Sequence, residues 1–155
     1  MKIPLCVPYL DKNELEAVKK LAQNRFFMKE AGGKVVKVVS HLLRYLPVDF
    51  HYKVLFVNRD IREIIVSQQK MIGKQNAPYP LALENKFRAH LQKISPYLHK
   101  KGNMDVLHLQ YTGIIENPLL NAARISDFLE ADLDIESMAK VVSPELYRNK
   151  NVKGN

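Results

Sequence analysis

Four consecutive apolar residues, Val54-Leu55-Phe56-Val57, run straight into the polar triplet Asn58-Arg59-Asp60. Side chains alternate faces along a strand, so an unbroken apolar run needs cover on both faces. Parallel sheets flanked by helices supply that cover. The polar triplet then marks the carboxyl end of the strand and the start of the next element. Asp60-Ile61-Arg62-Glu63 has the spacing of a helix capping box. Ile61, Ile64, Ile65, Met71 and Ile72 continue at helical spacing, and Gly73 closes the helix.

The same alternation extends in both directions. Asp11-Lys12-Asn13-Glu14 has capping-box spacing, and Leu15, Val18, Leu21 and Ala22 predict a helix over 12–30, ended by Gly32-Gly33. The Val-rich stretch Lys34 to Ser40 reads as a strand. Leu42, Leu43 and Leu46 suggest a short helix that stops before Pro47. Leu83, Phe87, Leu91, Ile94 and Leu98 mark a long helix, and Met104 to Gln110 a third strand. Asn117-Pro118 opens a helix with an Asn cap and Pro at its first position. A last short helix is expected over 135–142. The order α-β-α-β-α-α-β-α-α argues for an α/β fold: one domain over residues 1–155, with a three-stranded parallel sheet between layers of helices.

Composition narrows the function classes. The single cysteine, Cys6, rules out a disulfide within the chain and suits a reducing compartment. The five histidines show no metal-ligand spacing, so no metal site is expected. No apolar run approaches the ~20 residues of a membrane span. The opening Met1-Lys2-Ile3-Pro4 is too proline-broken for a signal peptide, so a soluble cytoplasmic protein is expected. The formal net charge of +8 favours an anionic partner: a nucleotide, nucleic acid, a sulfated polysaccharide or phospholipid. No nucleic-acid-binding motif is visible and the basic residues are scattered, which argues against nucleic acid.

Ligands of open parallel sheets bind beyond the carboxyl ends of the strands. That rule selects Ser40 and His41, then Asn58, Arg59 and Asp60, then Gln110, Tyr111 and Thr112. Arg59 stands where a helix begins, and backbone N–H groups there favour an anion. Its guanidinium can grip a phosphate bidentately. Ser67 follows eight residues later, roughly 12 Å along a helix, and could share that phosphate. The alternative is structural: Arg59 pairs with Asp60 or Glu63, and Ser67 bonds back to a carbonyl.

The segment from Val54 through Arg59 to Ser67 resembles the 3′-phosphate-binding motif of sulfotransferases. In that family a buried strand leads to Arg-Asp or Arg-Asn, and a Ser follows eight residues after the Arg. Tyr111 through Asn117-Pro118 to Asp127-Phe128-Leu129 is similar to the family's Tyr, Asn-Pro and Phe-Leu segment. Val39-Ser40-His41-Leu42 with Leu46-Pro47 is similar to its Lys-Thr-His-Leu-Pro stretch, with Val39 where the Lys would stand. The fuller match is to bacterial sulfotransferase-like proteins, whose ends resemble Met138-Ala139-Lys140 through Leu146-Tyr147-Arg148, and it spans about residues 13 to 148. The resemblance implies a P-loop-type fold and transfer of a sulfuryl group from 3′-phosphoadenosine 5′-phosphosulfate to an acceptor hydroxyl or amine. It implies Arg59 and Ser67 on the 3′-phosphate, Tyr111 near adenine and His41 as catalytic base. The family's Gly-rich 5′-phosphosulfate loop has no counterpart here, because Gly32-Gly33-Lys34 precedes a strand instead of joining strand to helix. The domain is therefore expected to lack its first strand and loop. The alternatives are an inactive remnant that binds a nucleotide or a sulfated polyanion, and a basic domain that binds nucleic acid. An uncovered sheet edge would favour a homo-oligomer.

Overall fold

The computed structural model of the chain describes residues 35–74 and 76–147. The helix expected over 12–30, its Gly32-Gly33 stop and Cys6 lie outside them. A 3₁₀ helix at Ser40–Tyr45 comes first, then strand β1 (Tyr52–Asn58), helix α1 (Ile61–Met71) and helix α2 (Leu81–Lys100). Strand β2 (Met104–Gln110), helices α3 (Tyr111–Glu116), α4 (Pro118–Leu129) and α5 (Ile135–Lys140), and a 3₁₀ turn at Pro144–Leu146 complete the order. The fold is α/β.

β1 and β2 pair in parallel, from Tyr52 opposite Met104 to Asn58 opposite Gln110. The sheet has two strands among the described residues, one fewer than the sequence predicts. The missing member is the Val-rich stretch before Ser40. Among the described residues, 35–39 have no strand partner, and Val35 is 91% exposed. β-branched residues favour extended backbone, but a strand also needs a neighbour to complete its ladder. Here Val39 is extended (φ −73°, ψ 140°) and the chain then turns into the 3₁₀ helix, which buries Leu42 and Leu43.

Tyr52, Val54 and Phe56 share one face of β1, and Met104 and Val106 lie on the same face of β2. Against that face pack Ile94 and Leu98 of α2 and Leu43 and Leu46 from the 3₁₀ segment. The opposite face carries Lys53, Leu55 and Val57, with Leu107 and Leu109. α4 packs there: Lys53 Nζ donates to the Phe128 carbonyl (2.8 Å) and pairs with Glu130 (2.7 Å). Helices thus lie against both faces of the apolar run, but its last residue, Val57, stays 49% exposed.

Local signals explain the helix ends. Asp60 caps α1 by accepting from the Arg62 and Glu63 amides. Gly73, at φ +70°, lets the chain turn away after it. Pro118 opens α4 as expected, but the Asn117 side chain makes no cap hydrogen bond. Asn121 ties the junction of α3 and α4 together, donating from Nδ2 to the carbonyls of Gly113 (2.8 Å) and Asn117 (3.0 Å). No helix of the described residues is long and apolar enough to cross a membrane.

Candidate functional site

The zero offset between β1 and β2 determines what meets at their carboxyl ends. Asn58 faces Gln110, so the next residue on each strand, Arg59 and Tyr111, emerges side by side. The Arg59 guanidinium carbon lies 4.8 Å from the Tyr111 ring centroid and 5.5 Å from that of Tyr147. The two rings meet edge to face, 5.4 Å apart at 79°. Both distances are within the range of a cation–π contact.

Glu63 completes the cluster. It is 6% exposed, and its Oε2 accepts from Arg59 Nε at 3.1 Å. Its other oxygen, Oε1, accepts from the Tyr147 hydroxyl at 2.7 Å. Both oxygens of this buried carboxylate are therefore served, as burial requires. The Glu63 hydrogen bond, with burial second, pushes the Tyr147 phenol up to about 12. It stays a protonated donor throughout the physiological range.

The structure therefore realises the ion pair that was one of the two sequence readings. It uses only one edge of the guanidinium. Among the described residues no group accepts a hydrogen bond from either Nη of Arg59. The helix N-terminus contributes less than its position suggests, because Asp60 already holds the Arg62 and Glu63 amides. Ser67 is half-buried on α1, one turn beyond Glu63 and on the same helix face.

A second buried carboxylate lies where α2 meets α1. Glu84 of α2, 3% exposed, accepts from the Tyr79 hydroxyl (2.7 Å) and from Arg88 Nε (2.9 Å), and Arg62 of α1 approaches it at 3.7 Å. The Tyr79 hydrogen bond, then Arg88, hold Glu84 below the usual carboxylate range. Burial, with Glu84 next, pushes Tyr79 up to about 12. Arg59, Arg62 and Arg88 are matched here by Asp60, Glu63 and Glu84, so the surplus positive charge of the chain is not concentrated at this edge.

His41 lies apart from this cluster. No hydrogen bond, ion pair or ring contact of the described residues joins it to Arg59, Ser67 or Tyr111. Its ring stacks on His90 of α2, with centroids 3.6 Å apart at 9°. Ser40 Oγ lies 2.9 Å from His90 Nε2. Burial, with Arg44 next, lowers His41; burial, with His41 and Arg44 next, lowers His90 to about 4. Both shifts favour the neutral ring. An open hollow of about 220 Å³ on this side of α2 is lined by Arg44, Lys93, Ile94 and Tyr97. No group of three His, Cys, Asp or Glu side chains able to hold a metal occurs among the described residues.

The strand-end rule found Arg59 and Tyr111 in the sequence. It missed Tyr147 and His90. Tyr147 reaches Glu63 across 84 positions, and Ser40 reaches His90 across 50. No local spacing encodes either contact. No family model, curated protein or solved structure matches the chain.

Proposed function

We propose that this chain is a sulfotransferase-type domain that binds a 3′-phosphoadenosine nucleotide at the carboxyl edge of β1 and β2. The observation that carries the proposal is the Arg59 guanidinium, held between the Tyr111 and Tyr147 rings with its Nη edge unbonded among the described residues. An arginine presented in this way suits bidentate contact with a phosphate. The phenol ring beside it offers a stacking surface for a purine. In this reading Arg59 takes the 3′-phosphate, Ser67 donates its hydroxyl to the same group and Tyr111 flanks adenine.

The motif carries the reading from phosphate to nucleotide. Arg59, Ser67, Tyr111 and Asn117-Pro118 stand in the order that the sulfotransferase family uses. The reaction that the resemblance implies joins an acceptor oxygen or nitrogen to sulfur. It breaks the bond from sulfur to the 5′-phosphate and releases adenosine 3′,5′-bisphosphate and a proton. The proposal includes the P-loop-type layering of that family. It does not include His41 as base, since the contacts of His41 run to His90 and not to the Arg59 cluster.

Calorimetric titration with adenosine 3′,5′-bisphosphate tests the proposal. Arg59→Ala is expected to weaken binding by about 10- to 100-fold, the worth of one or two hydrogen bonds to a charged group. No heat from the parent protein, or equal affinity in the variant, overturns it. Labelled sulfuryl transfer to phenol and amine acceptors separates an active enzyme from a domain that only binds.

A further inference from the structure

We infer that Glu63 and Tyr147 are positioning residues for Arg59, which fix its guanidinium so that the Nη edge meets an oxyanion. The inference rests on the nucleotide reading above, where that oxyanion is the 3′-phosphate.

Three contacts constrain the guanidinium. Glu63 holds it at Nε, which sets its rotation about the end of the side chain. Tyr111 and Tyr147 approach it from their ring faces. These restraints leave the Nη edge as the part not engaged by hydrogen bonds among the described residues. An unrestrained arginine would lose its rotamer freedom on binding, whereas this one has lost it already.

Tyr147 braces the assembly. It touches each of the other three members: its hydroxyl donates to Glu63, its ring lies under Arg59 and it meets the Tyr111 ring edge to face. Glu63 is bonded through both oxygens, so swinging away from Arg59 would leave a buried carboxylate half-served. Mere charge cancellation predicts the opposite outcome: removing Glu63 would then free Arg59 and tighten anion binding.

The test compares two ligands on the full chain. The affinity ratio of adenosine 3′,5′-bisphosphate to adenosine 5′-monophosphate reports the contribution of the 3′-phosphate alone. Tyr147→Phe keeps the ring but drops the hydroxyl, and is expected to lower the ratio several-fold. Glu63→Ala is expected to lower it at least tenfold, towards the Arg59→Ala value. Glu63→Gln retains an acceptor for Nε and is expected to keep most of it. Unchanged ratios in Tyr147→Phe and Glu63→Ala, with only a lower Tm, would make both residues structural and overturn the inference. A tighter Glu63→Gln complex would overturn it too, showing that Glu63 competes with the phosphate. If Glu63→Ala does not fold, Tyr147→Phe and Glu63→Gln decide.

If the parent protein shows no preference for the bisphosphate, the nucleotide reading falls and inorganic phosphate becomes the probe. The Arg59 Nε–H resonance should then shift on titration in the parent, and only at several-fold higher phosphate in Tyr147→Phe. That result supports positioning without the nucleotide. No shift in the parent overturns both.

Discussion

Two imidazole rings stacked 3.6 Å apart are not readily protonated together, and Arg44 adds its charge to theirs. His90, 8% exposed between His41 and Ser40, has its acidity set by that surrounding. Its value of about 4 in the folded chain lies below the ordinary 6.5. The unfolded chain therefore binds the proton more readily. Stability from the neutral ring is fully present above pH 6.5 and is lost as the pH falls towards 4. At pH 5 the loss for a single imidazole shifted this far is about 2 kcal/mol. Urea midpoints should fall between pH 7 and pH 5, and His90→Gln should flatten that dependence. An equal slope in the variant would place the titration elsewhere. His90 falls in a helix pattern read from its leucines, which assigns it no partner. Arg59 and Tyr111 were legible because each directly follows a strand, and strand ends can be read from local pattern.

Elements were legible where one apolar pattern dominates. Met104–Gln110 is the strand the sequence predicts, and the Val54–Val57 run forms the middle of β1. β1 extends further because Tyr52 and Lys53 pair with Met104 and Asp105, and a lysine carries no strand signal of its own. α3 was not foreseen: the sequence pattern assigns no element between Gln110 and Asn117, and the helix has tertiary support, with Asn121 holding the Gly113 carbonyl. α2 contains a local contradiction. It runs unbroken from Leu81 to Lys100 through the exposed Pro96. Proline has no N–H to donate to the carbonyl four residues back, and its ring crowds that turn. The helix persists because Ile94 and Leu98 on either side are anchored in the core. Pro96→Ala should therefore stabilise the protein, by up to about 3 kcal/mol. A rise in urea midpoint at unchanged slope would show it, and a fall would mean that the ring makes contacts worth more than the lost hydrogen bond.

Among the described residues the sheet has two strands, too few to be more than marginal alone in water, and the helices on its two faces support it. Leu98 of α2, 1% exposed, is packed into the cluster on one face with Leu43, Leu46 and Met104. Leu109 of β2, also 1% exposed, points to the other face, where α4 lies. Truncating either leucine to alanine leaves a cavity and should cost about 2–5 kcal/mol. A domain of this size is stable by roughly 5–15 kcal/mol, so each change removes a large share and the double variant approaches unfolding. The double variant also tests the layering. If the sheet separates two independent cores, the two losses should add to within about 0.5 kcal/mol. A combined loss clearly smaller than the sum would mean that the leucines share one cavity and that the helices on the two faces relax together. Additive losses would show that the edge carrying Arg59 and Tyr111 is braced from both sides, and that each layer supports the strand ends independently of the other.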